Sequence, residues 1–146
     1  MSEERTRHVT WRVHLTSAPG SVYGMLATDE GRARFWAESA EERDGKIAFR
    51  FPNGVRWQGA VLEREPPARF SVEYYGGSTA TFELTDDGHG GTDLTLTDAG
   101  VGIGDEADVR AGWVSVLLAL KAAVDFDVDV RNHDPDRTWD QGFVDN

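Results

Sequence analysis

The chain reads as an α+β fold in which one long helix near the C-terminus covers a curved antiparallel sheet of about seven strands. Three observations predict it. The run Asp105–Asp125, DEADVRAGWVSVLLALKAAVD, is the only long segment with helical periodicity. Short runs of alternating apolar and polar residues fill most of the chain before it. Brief turns rich in glycine, proline and aspartate separate those runs, and short links between consecutive strands favour antiparallel pairing.

The first strand spans Arg7–Leu15, with Val9, Trp11, Val13 and Leu15 on one face and His8, Thr10, Arg12 and His14 on the other. Ser17 is the expected N-cap of a short helix, with Pro19 in its first turn and Val22, Tyr23, Leu26 and Ala27 at helical spacing. A second short helix starts at the capping residue Asp29 and runs to about Phe35. Together these helices carry the chain from an edge strand to the far side of the sheet. The meander follows. Ala37–Arg43 and Lys46–Phe51 are joined by Asp44-Gly45, a pair that tolerates the positive φ of a tight hairpin. After Pro52-Asn53-Gly54 comes Val55–Glu65, with Val55, Trp57, Gly59 and Val61 in parity, and Pro66-Pro67 ends it because neither residue can donate to a ladder. Ala68–Tyr75 places Phe70, Val72 and Tyr74 on one side. Gly76-Gly77 turns the chain into Thr79–Thr85, and Thr92–Asp98 closes the meander with Leu94 and Leu96 inward.

On the long helix, Val109, Trp113, Val116, Leu117, Leu120 and Val124 fall within an arc of about 100°, the stripe of a core-facing helix. Its other side carries Ala111, Val114, Ser115, Leu118 and Ala122, less polar than a freely solvated face. Two covers are open: the tail folding back through Trp139, Phe143 and Val144, or a second copy of the chain in a symmetric dimer.

The sequence has 146 residues, a length suited to one domain, here 1–146, with a core over about 8–125 and an acidic tail over 126–146. There is no cysteine, which removes disulfides, thiol nucleophiles and thiolate metal sites. A net charge of −11 opposes attraction to nucleic acid or anionic membrane. No run is long and apolar enough to span a bilayer, and the N-terminus lacks a signal-peptide core, so a cytoplasmic location is expected. The C-terminal stretch from Asp125 to Asp145 carries seven aspartates and is expected to serve solubility.

Several features carry a family likeness: Trp36 after the second helix, the Gly45…Phe49…Gly54…Gly59…Val61 hairpin, and Glu65-Pro66-Pro67…Phe70. The strand Gly91–Leu96 and the pattern Gly112-Trp113…Leu117…Leu120-Lys121 complete it. Over residues 8 to 125 the chain resembles bacterial domains of the Hsp90 ATPase activator homologue family (AHSA1-like, also called SRPBCC). That family lies within the START/Bet v 1-like helix-grip superfamily. The resemblance implies a cavity between the long helix and the sheet, used across the superfamily for apolar molecules and, in a few members, for cyclase or hydrolase chemistry.

The expected ligand-binding wall is Trp36, Phe49, Trp57, Tyr74, Phe82, Trp113, Leu117 and Leu120, since aromatics can grip a flat apolar molecule. Trp113 stands out because Gly112 beside it is expected to leave room. No catalytic set is expected: GxSxG, GxGxxG and HExxH are absent, and His133, Asp134 and Asp136 lack metal-ligand spacing. Neither a cofactor nor a metal is expected. Glu38, in parity with Trp36, is the best inward acid or base, whereas Glu73 is expected to face solvent. Binding of a small apolar or amphipathic molecule without turnover is therefore the leading expectation. A co-chaperone-like or homodimeric module, the dimer using Val114, Leu118 or the tail, is the first alternative. A polyketide cyclase- or hydrolase-type enzyme is the second.

Overall fold

The computed structural model describes residues 6–146. In chain order it contains β1 (Thr6–Leu15), α1 (Pro19–Ala27), α2 (Asp29–Ala33), β2 (Ser39–Arg43), β3 (Lys46–Arg50), β4 (Arg56–Glu65), β5 (Arg69–Glu73), β6 (Thr79–Asp86), β7 (Thr92–Gly102) and α3 (Glu106–Phe126). The strands form one seven-stranded sheet in the order β1-β7-β6-β5-β4-β3-β2, every pair antiparallel. β1 and β2 are thus opposite edges, and α1 and α2 carry the chain from one to the other. None of the helices is long and apolar enough to cross a membrane.

Side-chain parity decides which face of each strand is buried. On β1, Val9 and Leu15 are fully buried and Trp11 and Val13 partly so, while the alternate residues are exposed. Between β2 and β3, Asp44 and Gly45 take φ of 53° and 76°, and Arg43 pairs with Lys46 across that two-residue turn. At Gly59 on β4 a Cβ would lie 1.7 Å from the Glu73 carbonyl oxygen, so the strand needs glycine there. β7 runs past the expected end at Asp98 to Gly102. Beyond Asp98 the strand continues through a bulge: Val9 pairs with Asp98 but Arg7 with Val101, and Gly100 sits at φ 80°. The extra residue turns Val101 inward, and it is buried.

α3 buries Trp113, Leu117, Ala119, Leu120 and Ala123, with Val109, Val116 and Val124 partly covered against the same core. Its C-terminal end is tied to the end of β1. The Asp125 carboxylate accepts from Thr16 N–H (2.9 Å), Ser17 N–H (3.0 Å), the Ser17 hydroxyl (2.7 Å) and Lys121 Nζ (3.2 Å). Burial by itself would raise the Asp125 carboxyl, but these donors outweigh it and hold it at about 2. This arrangement corrects the expected role of Ser17. The N-cap of α1 is Ala18, with no side-chain cap, and Ser17 spends its hydroxyl on α3. Likewise Thr28, not Asp29, caps α2 by accepting from Gly31 N–H. Asp29 instead holds Arg32, which is fully buried and donates to the Leu26 and Ala40 carbonyls, locking α1, α2 and β2 together.

The tail folds onto the protein, but not over the outer face of α3. Arg131 donates to the Ala33 and Ala37 carbonyls at 2.7 and 2.9 Å. His133 joins Glu38 (2.6 Å) and Asp129 (2.7 Å). Trp139 packs edge-on against Phe51, and Asn53 donates to Asp140. The tail thus covers the α2–β2 connection and the turn before β4. Val114 and Leu118 remain 37% and 56% exposed. Of the two covers left open by the sequence, the tail is removed.

Candidate functional site

Where α3 crosses the middle strands, six aromatic rings meet. Trp36, delivered by the α2–β2 connection, has its ring centroid 5.0 Å from Phe49, 5.2 Å from Phe82, 5.7 Å from Tyr74 and 5.9 Å from Trp113. Trp57 lies 5.1 Å from Tyr74, and Tyr74 a further 5.1 Å from Trp113. All six expected aromatics are therefore gathered at one place. Leu117 and Leu120 belong to the same core. The rings pack on one another, and two depressions lie at the surface. One, of about 430 Å³, is on the outer side of β2–β4 beside Phe49 and Trp57; the other, of about 180 Å³, lies between Arg34 and the end of α3.

Polar atoms thread this aromatic cluster. The Trp36 indole N–H donates to the Tyr74 hydroxyl at 3.0 Å, and the Trp113 indole N–H donates to Asp98 Oδ2 at 2.9 Å. Asp98 is fully buried, and the neighbouring Ser78 side chain also hydrogen-bonds its carboxyl, whereas the Trp57 indole nitrogen has no partner among the described residues. No basic side chain pairs with Asp98 among the described residues. Burial pushes its carboxyl up, a rise that Ser78 and Trp113 only partly oppose. Burial also drives the Tyr74 phenol far above its usual value, against the Trp36 donation and with help from Asp98. The Tyr74 phenol therefore keeps its proton at ordinary pH, and the Asp98 carboxyl holds its proton to higher pH than an exposed aspartate.

Sequence reasoning missed Asp98 and Ser78. A signal was there, because Leu94, Leu96 and Asp98 share parity, but an aspartate after two leucines read as the end of the strand. Two other expectations are corrected. Glu38 does not enter the cluster; it turns outward to His133. Gly112 is exposed, and a Cβ there would touch nothing within 4 Å, so it makes no room beside Trp113. Glu73 is exposed as expected. Within the tail, His133 meets Glu38 and Asp129 rather than Asp134 and Asp136.

A family profile described as Activator of Hsp90 ATPase homolog 1-like protein matches residues 16–125. The chain belongs to that family. Among solved structures, this Hsp90-activator-like protein is similar to the Aha1 dimer from Colwellia psychrerythraea, with 22% identity, a TM-score of 0.74, and coverage of 82% of this chain and 97% of that one. It is also similar to CalU16 from Micromonospora echinospora (23% identity, TM-score 0.69, 84% and 78% covered). A third similar structure is the AHSA1-like protein from Aeromonas hydrophila (17% identity, TM-score 0.70, 81% and 92% covered). At such identities these likenesses speak for the helix-grip fold. No curated protein matches the chain.

Proposed function

We propose that this Hsp90-activator-like protein binds a small amphipathic molecule between α3 and the sheet, against Trp36, Phe49, Trp57, Tyr74, Phe82, Trp113, Leu117 and Leu120, without transforming it. One observation supports the reading: Asp98 is fully buried beside these rings with no basic side chain pairing it among the described residues, its carboxyl met by the Trp113 indole and Ser78. Burying a carboxyl with no counter-charge is costly, and a core built only for packing gains nothing from holding one. A ligand that is mostly apolar with one polar end offsets the cost.

Entry follows from the unequal anchoring of α3. The C-terminal end is fixed by Asp125 and by Lys121 donating to His14 O at 2.7 Å. Among the described residues, the N-terminal half is held by the Trp11 indole bond to Arg110 O (3.0 Å), the Arg110 guanidinium over the Trp11 ring, an Arg7–Glu106 pair and the Trp113 bond to Asp98, behind Gly100, Gly102 and Gly104. Swinging that end outward uncovers Trp113 first. Gentle purification followed by organic extraction and mass spectrometry, together with thermal-shift screening of hydrophobic compounds, tests the reading. A co-purified or stabilising small molecule is expected; an empty protein that no compound stabilises would contradict it.

A second reading has its own observation. With the tail elsewhere, Val114 and Leu118 form an uncovered apolar strip on α3, and one similar structure is described as a dimer. A homodimer through this strip predicts a dimeric mass in solution that Leu118→Glu converts to a folded monomer; a monomeric wild type sinks it. A co-chaperone-like role has only the family description behind it.

A further inference from the structure

We propose that the segment after α3 is a pH-dependent latch: with His133 protonated it holds the connection that carries Trp36 in place, and on losing that proton it lets the connection loosen. The inference rests on the binding function above only for what the loosening exposes, the Trp36 side of the site.

The segment 126–146 lies beyond the residues matched by the family profile, so the latch is a feature of this chain rather than of that profile. A left-handed residue, Asp127 at φ 54°, ends α3, and the chain then returns to α2. Arg131 makes the first grip. Its guanidinium, 5% exposed, donates to the Ala33 and Ala37 carbonyls, which bracket Phe35 and Trp36, and to both Asp129 oxygens at 3.0 Å. A planar fork of five donors suits a grip on several acceptors at once. Further along, Trp139 packs on Phe51, whose ring centroid lies 4.7 Å from that of Trp57. The tail therefore supports the aromatic cluster at two places, beside Trp36 and behind Trp57.

His133 makes the second grip, and its chemistry sets the pH dependence. Nδ1 lies 2.6 Å from Glu38 Oε1, and Nε2 lies 2.7 Å from Asp129 Oδ2. A neutral imidazole donates through one nitrogen only, and its other nitrogen would set a lone pair against an ionised carboxylate. Both bonds together require the imidazolium. His133 stands at φ 56°, a conformation that non-glycine residues disfavour, and from there its ring reaches both acids. The charged groups around it are Glu38 from the α2–β2 connection and Asp129 and Arg131 from the tail. Beyond them lies Asp127, paired with Arg34 at the end of α2. Burial by itself would lower the His133 pKa, but the bonds to Glu38 and Asp129 outweigh it and raise the pKa. A raised folded value means that the contribution is complete below about pH 6.5 and is lost as pH climbs through the folded value. Arg131 keeps its charge throughout, so the connection loosens rather than unfolds.

Amide hydrogen exchange, corrected for its intrinsic pH dependence, tests the latch at Trp36 and Glu38, whose N–H groups bond Arg32 O (2.8 Å) and Arg50 O (2.9 Å). In the full chain, with the His133 ring followed by NMR, protection of these amides is expected to fall roughly 3- to 10-fold as the ring loses its proton, the scale of two partly exposed ion pairs. Leu96, in the middle of the sheet, is the control that stays protected. His133→Asn, which tolerates the same φ, is expected to show the loosened protection at every pH, with no step. Should that variant not fold, Glu38→Gln reads the same device, because removing one acid is expected to move the His133 titration and the step together to lower pH. A step that persists in His133→Asn, or stays put in Glu38→Gln, overturns the latch. So does protection that is flat from pH 5 to pH 8 in the wild type, or a His133 ring that titrates no higher than an exposed histidine. None of these results touches ligand binding, which the extraction and thermal-shift experiments decide separately.

Discussion

Asp98→Asn raises the melting temperature by roughly 3–8 °C near neutral pH, against the usual outcome of changing a buried, hydrogen-bonded residue. The reason is the missing counter-charge. In the folded chain Asp98 is fully buried and its carboxyl is pushed up; in the unfolded chain it ionises at the ordinary carboxylate value of about 3.9. Between those two values the native state keeps a proton that the unfolded state has released. Stability therefore falls as pH rises through that window, by about 1.4 kcal/mol per pH unit for one group. Above the folded value the loss is complete and constant. Asparagine keeps an acceptor for the Trp113 indole and cannot ionise, so the variant lacks this slope. Among the described residues, Tyr74 is the titratable group coupled to Asp98, and it stays neutral through the window. Denaturant unfolding of both proteins from pH 4 to pH 8 checks this. Parallel curves, or a less stable Asn variant, would show that Asp98 is an ordinary core residue. A residue that costs stability where it stands fits a site better than a packing role.

Asp125→Ala acts in the opposite direction, lowering stability by about 2 kcal/mol and the melting temperature by roughly 6–8 °C. Three donors from Thr16 and Ser17 converge on a side chain that is itself out of solvent, and the substitution strands them. Water can reach Thr16 N–H, which keeps the loss below the full penalty for buried groups. Because the native carboxyl is held at about 2, below its unfolded value, its stabilisation is complete above about pH 4. It disappears as pH falls toward 2. Wild type and variant should therefore converge in acid. A variant as stable as wild type at pH 7 would mean that α3 is not anchored at this end, and the proposed swing of its other end would lose its pivot.

Most of the fold was legible because its signals are local. Alternation exposed β1, two residues at positive φ fixed the β2–β3 hairpin, and a stripe from Trp113 to Leu120 set the face of α3. The end of β7 was misplaced at Asp98, because the bulge at Gly100 that carries the strand on to Gly102 breaks the alternation. The partners of Ser17, 107 and 108 positions away, leave no local trace. Its hydroxyl therefore read as a helix cap. The tail's aspartates suggested solvent, yet Arg131, His133 and Trp139 bind it to segments 94, 95 and 88 positions earlier in the chain. At the site, parity gathered the aromatics but not the chemistry. Asp98 pointed inward by the same rule as Leu94 and Leu96, and was passed over because a buried, unpaired carboxyl breaks the expectation that core positions are apolar.

The central claim, that the aromatic cluster opens to admit a ligand, is tested most directly by following the five tryptophan indole N–H resonances during titration with a hydrophobic compound that stabilises the protein in the thermal-shift screen. Trp36 and Trp113 donate inside the cluster, to Tyr74 and Asp98. Trp139 sits on the outer rim at 41% exposure. The account predicts saturable shifts that are largest for Trp36 and Trp113. Five stationary indoles, or a response confined to Trp139, would contradict it.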